Sequence, residues 1–274
     1  MIGVVIGGLS NPFYATALEQ LASALQASGL QSLLVHVDNA LTLDSAISQL
    51  MSYRIDAIVT SLAIGSRSVM RDLSNLRIPV ICFNSLLTGP WISTVVSNNY
   101  QAGHTAGRLL MTLGVARPVW LAGPKGNAAS RFRGKGFREG LRDHNADMTA
   151  LAELRGNDTY ESGYDTVAKF LKQGQHLDGL FCSNDMMACG AIDALRERTG
   201  LRCPEDFVLV GYDNIPQGMW RSYDLTTFDQ RSDLLVDAAL DLLNQALTEE
   251  AEPSASTRVI DARLIERRST QRQL

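Results

Sequence analysis

Short apolar runs and amphipathic helical patterns alternate along nearly the whole chain, and this alternation narrows the possible folds more than any other feature. Residues 2–6 are an apolar run closed by Gly7-Gly8, the mark of a strand buried on both faces. Ser10, Asn11 and Pro12 then supply a cap and a first-turn proline. Tyr14, Leu18, Leu21 and Leu25 follow at helical spacing, and Gly29 stops the helix. The same pair of signals keeps returning. Strands are predicted at 33–37, 56–60, 79–83 and, after a turn at Thr88-Gly89-Pro90, at 94–96, with helices at 42–53 and 66–76. A second series places helices at 99–113, 128–143, 161–172 and 186–198 among strands at 118–122, 150–154, 179–182 and 207–210. Repeated strand–helix–strand units require parallel sheets, right-handed crossovers and helices on both faces. Two such series predict an α/β protein of two doubly wound parallel-sheet lobes.

The end of the chain breaks the rhythm. Residues 232–247 form an amphipathic helix with Leu235, Ala238, Ala239, Leu242, Leu243 and Ala246 on one side. Residues 249–256 have the composition of a surface linker, and 258–266 alternate apolar with charged residues, the pattern of one half-exposed or edge strand. Trailing elements of this kind suit a chain that crosses back between lobes.

Composition excludes several functions. With 274 residues and 45% apolar content, the chain has ample material for large cores. A net charge of −4 offers no basic excess for nucleic acid or an anionic membrane. No apolar run is long enough for a spanning helix. The start, MIGVVIGGLSNP, carries no signal-peptide pattern and opens directly on a strand, as in a domain of a longer protein or a mature form. Cys82, Cys182, Cys189 and Cys203 form no CxxC pair and have no histidine at metal-ligand spacing, so they read as free thiols in a reducing, cytoplasmic compartment, and no cofactor or metal is expected. The glycine turns at 7–8 and 123–126 match neither GxGxxG nor GxxxxGK[ST], and GxSxG is absent, so nothing marks a nucleotide cradle or a nucleophile.

In parallel α/β sheets ligands bind beyond the carboxyl ends of the strands. That edge receives Ser10, Asn11, Phe13 and Tyr14 from the first strand, Ser61 from the third and Asn84 from the fourth. In the second series it receives the loop 123–133, then Asn184 and Asp185, and then Asp213. Amides, hydroxyls, a guanidinium, carboxylates and aromatic rings together suit a polyhydroxylated ligand: forked polar groups take paired hydroxyls, and flat rings cover apolar faces.

Five segments, in this order and spacing, resemble the effector-binding core of LacI/GalR-type transcription regulators: LSNPFY at 9–14, FCSNDMMACGAIDAL at 181–195, CPEDFVLVGYDNIP at 203–216, LTTFDQ at 225–230 and RLIERRST at 263–270. The resemblance spans nearly the whole chain. It implies a fold similar to periplasmic sugar-binding proteins, with three crossings between lobes and a small polar effector, a sugar, in the cleft. It implies lobes of 1–96 with 230–252 and of 97–229 with 253–270. The pocket positions it carries over are Phe13, Tyr14, Ser61, Asn84, Arg133, Asn184, Asp213, Trp220 and Gln230. It also implies a homodimer that meets operator DNA only through an N-terminal helix-turn-helix domain, which these residues do not contain, and no membrane partner. The chain departs from the family where Asp is common at 84 and an Asp-Asn pair at 97–98. At the position of a frequent pocket aromatic it has Asp158, with Tyr160 close by. The effector therefore cannot be copied from any family member. A periplasmic carrier of the same architecture is the competing reading, and an enzyme on this scaffold a third. The regulator-like segments and four unpaired cysteines favour the sensor.

Overall fold

The computed structural model describes residues 1–37, 43–62, 71, 73, 75, 77–84, 89–248 and 255–272. Most of the helix expected at 66–76 and of the linker at 249–256 lies outside these residues. In chain order the elements are β1 (Ile2–Ile6), α1 (Pro12–Ala27), β2 (Ser32–His36), α2 (Leu43–Leu50), β3 (Ala57–Thr60), β4 (Val80–Phe83) and β5 (Ile92–Ser97). Next come α3 (Asn99–Thr112), β6 (Pro118–Ala122), α4 (Ala128–Arg142), β7 (Ala152–Arg155), α5 (Tyr160–Lys172), β8 (Gly179–Cys182), α6 (Asp185–Thr199) and β9 (Val208–Val210). A 3-10 turn (Pro216–Met219), β10 (Thr227–Asp229), α7 (Ser232–Thr248), β11 (Thr257–Ile260), β12 (Arg263–Ile265) and a second 3-10 turn (Arg268–Thr270) complete the order.

The chain divides into two units. Unit 1 is Met1–Ser97 with Arg231–Ile260, and unit 2 is Asn98–Gln230 with Asp261–Leu274. In unit 1 six strands pair in the order β11-β5-β4-β3-β1-β2, all parallel. Val5, Ile47, Leu50, Ile58, Val80 and Ile92 fill a core on this sheet. Asn11 caps α1 by accepting the Phe13 N–H at 3.0 Å, and Pro12 occupies the first turn, where no N–H is needed.

In unit 2 four strands pair in the order β7-β6-β8-β9, again all parallel. Successive residues of one strand feed two cores. Val119, Leu121, Leu180 and Leu209 face one side, and Trp120, Phe181, Val208 and Val210 the other. That is why these strands read as unbroken apolar runs.

Two expectations are corrected. The alternation at 258–266 is not one strand. Thr257–Ile260 pairs in parallel with β5 and extends the sheet of unit 1, while β12 pairs antiparallel with β10. The stretch 257–260 thus belongs with unit 1 rather than with the second lobe, and the third passage of the chain between units falls after Ile260. Period-2 alternation records which faces are wet, and it is blind to the partner strand. All four cysteines are free; burial pushes the Cys82 thiol up to about 12. Among the described residues no helix is long and apolar enough to cross a membrane.

Candidate ligand-binding site

Because every strand of the unit 2 sheet is parallel, the turns after β6, β7, β8 and β9 emerge along one edge. They bring together groups that are distant in sequence. Arg133, on α4, is only 6% exposed. Its guanidinium carbon lies 3.8 Å from the centroid of the Tyr212 ring, and its Nη1 donates to the Ser183 carbonyl. Stacking on the ring fixes the plane of the guanidinium, so its fork has a set direction. Arg133 Nε is buried and has no hydrogen-bond partner among the described residues. A buried donor left open in this way is costly unless a ligand or water meets it.

Asp158 follows β7 with φ 62°. Its Oδ2 accepts from Asn127 Nδ2 at 3.2 Å, and its carbonyl accepts from Asn184 Nδ2 at 2.9 Å. Burial pushes the Asp158 carboxyl up, against the opposing pull of the Arg133 charge and the Asn127 bond. Gly123 makes room for this carboxylate: a Cβ there would stand 2.5 Å from Asp158 Oδ1 and 3.2 Å from Ser183 Oγ.

Asp213 ends the turn after β9 at φ 120°, a region that L residues avoid. The surroundings hold it there. Its N–H donates to the Phe228 carbonyl at 2.9 Å, and Gln230 Nε2 donates to its Oδ1 at 2.6 Å. The turn itself wraps the fully buried Asp185, whose carboxylate accepts from Ile215 N–H at 3.0 Å and from Thr227 Oγ1 at 2.6 Å. Desolvation raises the Asp185 carboxyl to about 6, although those two hydrogen bonds pull the other way. Asp185 is therefore the post around which the Asp213 turn is built.

Asn184 sits at this edge as well, but its side chain is already committed. Oδ1 caps α6 by accepting Met187 N–H at 2.9 Å, while Nδ2 serves Asp158. Trp220 follows the 3-10 turn and is 58% exposed, so it belongs to no core of the unit. Tyr160 points elsewhere, donating its hydroxyl to Asp193 on α6 at 2.8 Å.

Unit 1 places its own candidates at the carboxyl ends of its strands. Phe13 is buried in the first turn of α1, edge-on to Tyr14 at 5.3 Å between centroids. Ser61 Oγ accepts the Gly7 N–H at 3.4 Å, and Asn84, with φ 59°, accepts the Ser97 N–H at 3.4 Å. Tyr14 and Ser61 border a void of about 20 Å³, room for a single water. A groove of about 580 Å³ between the last turns of α5 and α6 contains none of the candidate residues.

Sequence reasoning named Arg133, Asn184, Asp213 and Gln230, and it noticed Asp158. It missed Tyr212, Ser183 and Asn127. Tyr212 and Ser183 lie inside the motifs and Asn127 in the loop 123–133, but their partners, Arg133 on α4 and Asp158 after β7, come from other segments, and no local pattern reports that.

The fold is thus an α/β protein with a polar cluster over the carboxyl edge of a parallel sheet, the edge where such folds bind ligands. The family model for periplasmic binding proteins and the sugar binding domain of LacI family matches residues 1–268, and the chain belongs to that family. Among curated proteins it is similar to the HTH-type transcriptional repressor PurR of Photorhabdus laumondii, 28% identical over 98% of this chain and 79% of that one. PurR of Klebsiella pneumoniae is 29% identical with the same coverage. Among solved structures it resembles a LacI family transcriptional regulator from Enterococcus faecium with bound ribose, with a TM-score of 0.87, 23% identity and coverage of 98% and 97%. A regulator from Arthrobacter in complex with lactose gives 0.86, 23% and 98% of each chain. At these identities the structural likeness establishes the fold.

Proposed function

We propose that the chain is the effector-binding core of a transcription regulator, and that its effector is a small polyhydroxylated molecule of sugar type held by Arg133, Asp158 and Asp213 of unit 2. The Nε of the buried Arg133, without a hydrogen-bond partner among the described residues and fixed against Tyr212 beside the half-buried Asp158 carboxylate, carries this reading. A guanidinium and carboxylates at one edge supply both donors and acceptors, the set that vicinal hydroxyls require. Ribose and lactose in structural neighbours support the ligand class. Phe13, Tyr14, Ser61 and Asn84 of unit 1, and Gln230 and the exposed Trp220 of unit 2, are proposed as further contributors. Occupancy acts on operator binding by a DNA-binding domain joined to the core, as the repressor relatives suggest, in a cytoplasmic homodimer and without a catalytic step.

A thermal-shift screen across sugars, nucleosides and purines identifies the effector. Arg133→Ala and Asp213→Ala are then each expected to weaken it by about 2–5 kcal/mol, more than tenfold in Kd, with near-wild-type circular dichroism. Arg133→Lys keeps the charge, loses the fork, and should fall in between. Wild-type affinity in both alanine variants would remove the assignment.

A further inference from the structure

Unit 2 has a second polar cavity, of about 180 Å³, on the flank where β7 is the edge strand. Two periodicities build its walls. Asn127, Arg131, Gly134 and Arg138 recur on one face of the α4 segment, and Glu153 and Arg155 alternate onto one face of β7. With Lys125 from the turn after β6, four cationic side chains meet one carboxylate, in a chain whose net charge is −4. Glu153 is already used, 3.2 Å from Arg138 Nη1. Arg155 Nη1 donates to the Gly123 carbonyl at 2.7 Å. Lys125 and Arg131 form no ion pair among the described residues.

Charge on a surface is ordinary, and the floor of the cavity is what sets this one apart. Trp120 lines it, yet is only 2% exposed. Its indole N–H makes no hydrogen bond among the described residues, although buried indoles normally find an acceptor. Gly134 keeps the space over that N–H open: a Cβ there would lie 2.6 Å from Trp120 Nε1 and 3.2 Å from Arg138 Nη1. The indole N–H, open to the cavity, and a guanidinium therefore converge on one small void ringed by positive charge. An open N–H beside a guanidinium that shares a single carboxylate, within an excess of positive charge, matches an oxyanion.

We propose that this cavity is a binding site for a small oxyanion of the phosphate type, held by Trp120 Nε1 and Arg138, with Lys125, Arg131 and Arg155 supplying the field. Asn127 lines the cavity and also donates to Asp158, so occupancy reaches the cluster assigned to the effector.

The test is a titration followed through the Trp120 indole resonance, assigned with Trp120→Phe, using inorganic phosphate and, in a second arm, a phosphate monoester of a three-carbon polyol. A saturable shift is expected, and the tighter arm tells free phosphate from a phosphorylated metabolite. Arg138→Gln combined with Arg155→Gln should weaken binding about tenfold or more. The exposed pair Lys125→Gln and Arg131→Gln should weaken it several-fold without touching the fold. Asp213→Ala should leave it intact, which separates this site from the effector reading. The proposal falls if sodium chloride at equal ionic strength gives the same shift, if the shift never saturates, or if the exposed pair titrates like wild type.

Discussion

At the residue scale, the most consequential group is one that meets no proposed ligand. Asp185 is buried, and its carboxyl is raised from 3.8 to about 6 in the fold. Between those values the native state binds more protons than the unfolded chain, so stability falls as pH rises from about 4 to about 6 and levels off above that. The whole fall amounts to about 3 kcal/mol. Asp185→Asn should flatten this slope when denaturant midpoints are compared across that range. It should also loosen the Asp213 turn, because Ile215 N–H and Thr227 Oγ1 donate to different carboxylate oxygens and an amide keeps an acceptor at only one of those positions. An unchanged slope in the variant would show that another group titrates there. Asp185 was legible as an edge residue, inside the segment FCSND. Its burial under the Asp213 turn was not, since the strands that enclose it are set by pairing.

At the element scale, the position of Arg133 depends on how closely α3 and α4 approach. A Cβ on Gly103 would stand 2.0 Å from the Arg133 carbonyl oxygen, and one on Gly136 2.0 Å from the Tyr100 carbonyl oxygen. These are backbone atoms, so the helices themselves must separate to admit a side chain. Gly103→Ala is expected to cost about 1–3 kcal/mol, the usual range for overpacking, and to lower the thermal midpoint by several degrees. Because α4 carries Arg133, effector affinity should fall with it. A variant as stable as wild type would mean that the helix pair gives way elsewhere. By itself a glycine inside a helix costs stability relative to alanine. The reason for these glycines appears only when the opposing helix is in place.

At the scale of the whole molecule, the proposed regulator acts on two-fold DNA sites, and closed symmetric dimers are the usual answer to such sites. Static light scattering at tens of micromolar is expected to give twice the chain mass of 29.9 kDa. A monomer throughout that range would argue against a dimeric regulator built on this core alone. The surfaces expected to meet, around 42–53 and 66–76, lie partly outside the described residues, and Tyr53 at the end of the first stretch is half exposed.

The sequence by itself determined the α/β class, the parallel sheets, nearly every helix and strand, and the edge along which Arg133 and Asp213 would appear. Period 3.6, period 2 and glycine punctuation are local properties, and local properties decide backbone state and buried face. Family membership was legible for a related reason: the motifs PEDFVLVGYDN and SNDMMACGA are contiguous. Tertiary structure alone decided that residues 257–260 extend one sheet while Arg263–Ile265 pairs in another. It alone stacked Arg133 on Tyr212, joined it to Ser183 fifty positions away, and left its Nε open. It also set the Trp120 indole beneath the gap at Gly134. Those outcomes depend on strand register and helix separation, which are settled by packing over the whole unit and leave no trace in any short window of the chain.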